Sequence, residues 1–410
     1  MTREGAANSH LCKKGSNPVN KTADVQSTRR SFLGAAAIGA AFGAASLAAV
    51  DEKQVIPGFE GQPDDPDASR GWQAASDRKI RVGIAGYGVC RFGAAFGFQV
   101  HPNVEVTAVT DLIPERREAL AKACRCGRTF ESCEKLLDDD SIEAVFVATD
   151  APSHARLCIE ALKRGKHVAC AVPAVFGSLE DADKLLEAVK TSGRKYMLLE
   201  TSYYHAEVHG WRELYRAGAL GKLVYTEGEY YHWMPTPIDS FQGWRVGLPP
   251  QWYPTHSNAY YVGVAGGSFT EVSCMGMPSV VEHLRPENNP YRNPFGTEIA
   301  LFRTSEGGMA RMAVSWDTPA AGGETGRIRG QKNEVPKTLP KRPPLPPGVA
   351  AGGHGGSHGY LMSEFVDAIL RNRQPLVDIA QALAMTASGI VAHQSALKNG
   401  ELLKIPQYKL

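Results

Sequence analysis

The sequence predicts an α/β chain in which an N-terminal doubly wound parallel sheet is followed by a C-terminal α+β domain on a mainly antiparallel, open sheet. Three observations predict it. Between residues 78 and 200, short apolar runs alternate with amphipathic helical segments, the rhythm of right-handed crossovers that place helices on both faces of a parallel sheet. From Tyr203 onward the apolar runs lengthen and are joined by glycine-containing turns, the mark of antiparallel pairing. The chain has 410 residues, 43% of them hydrophobic, more than one typical domain needs and enough core for two.

Taken in order, residues 1–50 read as a leader and not as fold. Arg29-Arg30-Ser31-Phe32-Leu33 precedes an uncharged Ala- and Gly-rich run from Gly34 to Val50, with a small-x-small site at Ser46-Leu47-Ala48. That order matches a twin-arginine export signal, and it implies the translocation machinery as a partner and a periplasmic or extracellular destination. A run this diluted with Gly and Ala spans a bilayer poorly, so no stable membrane span is expected. Residues 51–77, rich in Pro, Gly, Asp and Ser, read as a surface linker.

Strands are expected at Lys79–Ile84, Val104–Thr110, Ala144–Thr149, His167–Ala171 and Lys195–Leu199. Pro114 and Glu115 open one intervening helix, and Ser178 caps another that runs to Lys190. After residue 200 a helix is expected over Val208–Ala217, and longer strands over Lys222–His232, Thr297–Thr304 and Gly308–Trp316. Residues 233–256 and 317–357 read as long, functional loops. Two helices, Tyr360–Asn372 and Ile379–Lys398, and a strand end at Leu403–Ile405 close the chain; they are expected to pack partly on the first domain.

Charge and cysteine usage exclude some functions. Lys and Arg number 45 against 43 Asp and Glu, too even for the basic face that nucleic acid requires. The eight cysteines show no C-x-x-C pair, and Cys124, Cys126 and Cys133 make an incomplete ligand set, so no metal site is expected.

The first strand runs directly into Gly86-Tyr87-Gly88-Val89-Cys90. A pyrophosphate can approach the backbone there only where side chains are absent, and the following helix N-terminus is expected to offer amides and a positive dipole. Strand before and helix after turn a weak G-x-G into a Rossmann-type dinucleotide turn. The third glycine of the usual fingerprint is missing, since Arg91 stands there and Gly93 comes two residues later. Asp111, ending the second strand, is placed to bond the ribose hydroxyls, which favours NAD over NADP; Arg116 and Arg117 leave the second open.

With these residues in place, the chain resembles the Gfo/Idh/MocA family of dinucleotide-dependent sugar and polyol enzymes. Thr149-Asp150-Ala151-Pro152-Ser153-His154 is similar to that family's motif after the fourth strand, and Glu364 to Ile369 with Pro375 to its C-terminal stretch. The family ends its fifth strand in Glu-Lys-Pro, whose lysine handles the hydroxyl proton beside the nicotinamide. Here Ala171-Val172-Pro173 stands instead, and valine exchanges no proton. A second resemblance, to glycoside hydrolase family 109, rests on Val172-Pro173-Ala174, Trp244-Arg245 and Tyr253-Pro254-Thr255-His256, with His354 later.

That second resemblance implies bound NAD that oxidises a sugar carbon, allows elimination and addition of water, and is then restored. It implies proton transfer by His256 and Tyr253, and a sugar held by Trp244, Arg245, Thr255 and His354, with Tyr204 facing the pocket. Thr149, His154, Val172, Pro173 and Thr201 would lie along the cofactor. From the residues alone, His256 could equally be a bonded scaffold histidine and His354 a solvent-facing one. An exported protein meets no maintained pool of NAD(H), so redox-neutral chemistry on a carbohydrate is expected, with net dehydrogenation or a non-catalytic binding role as alternatives. A homo-oligomer is implied by the family.

Overall fold

The computed structural model describes residues 65, 67–319, 323–332 and 334–410. The expected export signal, Arg29 and Arg30 included, lies outside the described residues, as does most of the expected linker. The described end of that linker docks: the Ala68 carbonyl accepts the Leu345 N–H at 2.8 Å, and the Trp72 ring meets His101 edge-on.

The first sheet is built from β1 (Ile80–Ala85), β2 (Val104–Thr110), β3 (Thr129–Phe130), β4 (Ala144–Val147), β5 (His167–Cys170) and β6 (Tyr196–Leu198). Their order is β3-β2-β1-β4-β5-β6 and every pairing is parallel. The strands read as unbroken apolar runs because both faces are covered, as in Ala-Val-Phe-Val of β4, buried throughout. Strand order reverses between β1 and β4, so the crevice for a ligand opens at their C-terminal ends.

Helices α1 (Phe92–Ala95), α2 (Pro114–Cys124), α3 (Cys133–Leu137), α4 (His154–Lys163) and α5 (Leu179–Ser192) cover this sheet. Their ends follow local chemistry. Pro114 opens α2 at a position that needs no N–H, the Ser178 hydroxyl accepts the Asp181 N–H to start α5, and Gly193 ends α5 with φ 63°. One expectation is corrected: α1 is a single turn, ended by Gly97 at φ 81°, and offers little dipole to a phosphate.

After α6 (Ala206–Arg216) the chain forms β7 (Leu223–Tyr231), α7 (Thr255–Ala265), β8 (Phe269–Pro278), β9 (Phe295–Thr304), β10 (Met309–Ser315) and β11 (Glu324–Gly330). Helices α8 (His358–Leu370) and α9 (Ile379–Leu397) and the short β12 (Leu403–Lys404) complete it. The second sheet has the order β11-β7-β10-β9-β8-β12; β7 and β10 run parallel and the other pairs antiparallel. α9 crosses back to the first sheet, and the Val377 carbonyl just before it accepts the Leu198 N–H at 3.1 Å.

Three elements depart from the sequence expectation. β8 goes unanticipated, α7 replaces the end of the expected loop at residue 256, and β11 lies inside the expected Gly/Pro loop of residues 317–357. β11 (Glu-Thr-Gly-Arg-Ile-Arg-Gly) has one large apolar residue because it is an edge strand, half open to solvent. Its Gly326 pairs with Gly228 of β7. A Cβ on Gly326 would fall 2.2 Å from the Tyr260 ring, and one on Gly228 would fall 2.0 Å from the Ser257 carbonyl oxygen. The two glycines therefore form a trough into which α7 sinks, and all of Thr255–Val264 is buried.

Candidate active site

A cavity of about 380 Å³ opens at the C-terminal ends of β1, β2, β4 and β5. Its floor is the turn after β1. Gly86, at φ 104°, lies so close to β4 that a Cβ would sit 2.3 Å from the Ala148 carbonyl oxygen. Nothing lies within 4 Å of where a Cβ on Gly88 would stand, so an anion can meet that backbone. Gly93 corrects the reading that the third glycine is missing: its Cβ would fall 2.4 Å from the Gly86 carbonyl oxygen, so it performs the close packing from two residues further on.

Asp111 lines the same cavity with its carboxylate fixed by two backbone donors, Tyr87 N–H at 2.7 Å and Ile113 N–H at 2.9 Å. Each oxygen keeps a lone pair for a ribose hydroxyl. Open space over Gly88 and a preset carboxylate at the neighbouring strand end fit a dinucleotide. Arg116 lines this end too and lies 3.5 Å from Asp239.

Val89, Cys90, Thr149, His154 and Val172 also line the cavity. His154 ties two strand ends together, with Nδ1 2.8 Å from the Pro173 carbonyl oxygen and Nε2 3.2 Å from that of Thr149. Burial opposes its charge, but Cys170, the Pro173 carbonyl and Asp150 outweigh burial and raise its pKa to about 9. Pro173 thus acts through its carbonyl, and Tyr87 through its N–H.

Trp244, Arg245 and Tyr253, from the segment between β7 and α7, line it as well. The Arg245 guanidinium lies over the Trp244 ring at 4.2 Å and the Tyr253 ring at 5.7 Å, and approaches the Cys90 sulfur at 3.6 Å. Burial pushes the Tyr253 phenol up to about 12, against the pull of Arg245.

Behind Tyr253, His256 stands in the first turn of α7, its ring centroid 5.6 Å from that of Tyr253 and 4.5 Å from that of Tyr230. Its Nδ1 is 2.8 Å from Glu200 Oε1, 3.2 Å from the Thr201 hydroxyl and 3.9 Å from Glu324 Oε2. Burial works against charge on this ring, yet Glu200 and Glu324 outweigh it and raise the pKa to about 9. Glu324 accepts the Ser202 hydroxyl at 2.6 Å and lies 3.3 Å from His205 Nε2. Its pKa falls to about 2, because His256 and His205 outweigh the burial penalty.

His354 joins this cluster: its ring stacks with His256 at 6.2 Å, and its Nδ1 lies 3.0 Å from His358 Nε2. Burial lowers its pKa to about 3. Thr255 is fully buried on α7. Tyr204 takes a different place from the one expected. It lines a separate cavity with Trp72 and Tyr360, and its ring stacks on Tyr360 at 5.9 Å and on His209 at 6.3 Å.

Sequence reasoning missed Glu200, Glu324, His205 and Tyr230. Glu200 carried a usable signal, a carboxylate directly after the apolar run of β6, where ligand-facing residues of a parallel sheet sit. Glu324 carried none, because it follows the glycines of an edge strand with no apolar alternation.

Comparison with known proteins follows the same lines. Residues 80–199 match the model described as "Oxidoreductase family, NAD-binding Rossmann fold". A curated relative, glycosyl hydrolase family 109 protein 1 of Bacteroides thetaiotaomicron, is 31% identical over 162 residues, 37% of this chain and 34% of that protein. The alignment thus spans about a third of that relative's length. Among solved structures, an oxidoreductase domain protein from Kribbella flavida shares 20% identity at TM-score 0.66 over 80% of this chain and all of its own. A levoglucosan dehydrogenase in complex with NADH shares 18% identity at TM-score 0.66, again over 80% of this chain and 100% of its own. At these identities the two structures establish the fold.

Proposed function

We propose, for a chain whose residues 80–199 match the oxidoreductase-family model with an NAD-binding Rossmann fold and which has relatives in glycosyl hydrolase family 109, that it oxidises a sugar hydroxyl with resident NAD and is redox-neutral overall. Bound NAD would take a hydride from a sugar carbon and return it later. One observation carries the reading: the lysine position is Val172, which exchanges no proton, while a buried His256 with two carboxylates stands behind the cavity wall formed by Tyr253 and Arg245.

The residues divide the work by chemistry. The Gly86–Cys90 turn and Asp111 bind pyrophosphate and ribose. Trp244 lines the cavity and holds the Arg245 guanidinium over its ring, and Arg245 offers N–H donors to sugar oxygens, most strongly to an oxygen that gains negative charge beside it. Tyr253 carries the one phenol lining the cavity among the described residues, and it can pass a proton between substrate and the buried cluster. A ketone acidifies the neighbouring C–H, so a leaving group can depart without the pair of flanking carboxylates that an ordinary glycosidase needs. The twin-arginine leader supports the redox-neutral form, since a folded protein exported with its cofactor has to regenerate it in place.

Net dehydrogenation of a free sugar or polyol is the second reading, favoured by the levoglucosan dehydrogenase fold match. The experiment that separates them is incubation of purified protein with aryl glycosides and, in parallel, with free sugars. Sugar released without net reduced dinucleotide supports the proposal; reduced dinucleotide accumulating with free sugar supports the second reading.

A further inference from the structure

We infer that Glu200 and Glu324 clamp His256 as the proton source behind Tyr253, with Glu324 as a positioning residue supplied by the edge strand β11. The inference rests on the redox-neutral glycosidase reading and adds the group that reprotonates Tyr253 when its phenol protonates the departing oxygen.

Geometry carries it. Three contacts fall on a single ring nitrogen: Glu200 Oε1 at 2.8 Å, the Thr201 hydroxyl at 3.2 Å and Glu324 Oε2 at 3.9 Å from Nδ1. A carboxylate accepts only, so Nδ1 keeps its hydrogen and Nε2 is the nitrogen left for exchange through Tyr253. One carboxylate would suffice to fix the tautomer, as an acid orients a catalytic histidine. The second adds a negative charge that favours the doubly protonated ring. Glu324 is itself anchored, by the Ser202 hydroxyl and by His205 at 3.3 Å, so the clamp ties β11 to the turn that follows β6.

The other groups facing His256 do not replace it as the charged proton source. Tyr230 and Tyr253 are phenols that burial keeps protonated, and burial leaves His354 and His232 uncharged near neutral pH. Arg245 is cationic and holds its protons. His256 is the group that both carries a transferable proton at neutral pH and adjoins the Tyr253 wall.

In elimination the glycosidic C–O bond breaks, its electron pair stays on oxygen, and that oxygen takes the Tyr253 phenol proton while the phenol oxygen takes the Nε2 proton of His256. The C–H bond beside the ketone supplies the electrons of the new C=C bond, and its proton passes to water in the open cavity. When water adds, its oxygen bonds to the ring carbon, one of its protons passes to the Tyr253 oxygen as the phenol proton returns to Nε2, and a proton returns to the neighbouring carbon. His256 ends as it began.

A general acid matters most when the leaving group is poor. The test compares alkyl and dinitrophenyl glycosides of one sugar with the holoenzyme and its Glu324→Gln and Glu324→Asp variants, alongside an NMR titration of His256. Glu324→Gln is expected to lower kcat/KM on the alkyl glycoside by roughly 10- to 100-fold while changing the dinitrophenyl glycoside little, with Glu324→Asp partly restored. The His256 titration is expected to fall by about one pH unit or more in Glu324→Gln. Equal losses on both glycosides, or an unmoved titration in a folded variant, would overturn the inference. If the wild type cleaves neither glycoside, the glycosidase reading fails, and with it the acid role; the titration still decides whether the clamp exists.

Discussion

His354, His232 and His358 are buried, as His256 is, yet burial drives their pKa values down to about 3, about 4 and about 4, whereas His256 rises to about 9. Two carboxylates on one ring nitrogen make the difference. Replacing His256 by Ala should lower turnover by roughly 10²- to 10⁴-fold while the protein still binds dinucleotide, checked by glycoside release together with a dinucleotide titration. Full turnover in a folded His256→Ala protein would remove this residue from the chemistry. Tyr253→Phe keeps the ring packing on Arg245 and deletes the hydroxyl, so it should retain the melting temperature and lose activity. His256 and Tyr253 were legible in the sequence through a four-residue resemblance. Their partner Glu324 was not, because it lies 68 residues on from His256 (324 minus 256) and no local pattern encodes the contact.

At the scale of elements, the parallel strands announced themselves through buried apolar runs, and α2 and α5 through their opening Pro114 and capping Ser178. β11 stayed hidden because an edge strand needs no apolar alternation, and α7 because its residues are buried on every side and show no stripe. The glycine contacts make both elements testable. Gly326→Ala or Gly228→Ala should lift α7 from its trough, lowering the melting temperature and displacing His256, at a cost of about 1–3 kcal/mol for each overpacked methyl. Gly93→Ala should instead push on the Gly86 carbonyl and weaken dinucleotide binding. A Gly93→Ala protein with unchanged dinucleotide affinity would contradict the role given to that residue.

At the scale of the whole molecule, the outer face of the second sheet is unusual for an exposed surface. Met275 of β8 pairs with Ile299 of β9, and both are exposed, as are Met277 and Leu301 on the same strands. Such a strip predicts self-association through the sheet, as the family resemblance implies. Light scattering should show a dimer or larger for the wild type and a smaller species for Ile299→Lys with Leu301→Lys; a wild-type monomer would refute it. Among the described residues no helix is long and apolar enough to cross a membrane.

Stability should also follow the charges of the site. His256 has its folded pKa raised from 6.5 to about 9, so its stabilisation is complete below about pH 6.5 and is lost as pH rises through about 9. Glu324, lowered from 4.5 to about 2, stabilises above about pH 4.5 and ceases to as pH falls through about 2. Melting temperatures taken from pH 6 to 10 should therefore fall more steeply in the wild type than in His256→Asn.

A dinucleotide that stays resident, as proposed with Val172 at the lysine position, has to return to its starting state in every turnover. The most direct measurement follows bound dinucleotide by its absorbance while purified protein turns over an aryl glycoside with no cofactor added. Many equivalents of sugar released, with no net reduced dinucleotide at the end, are expected. Release that stops after a single equivalent, with the reduced cofactor left behind, would contradict it.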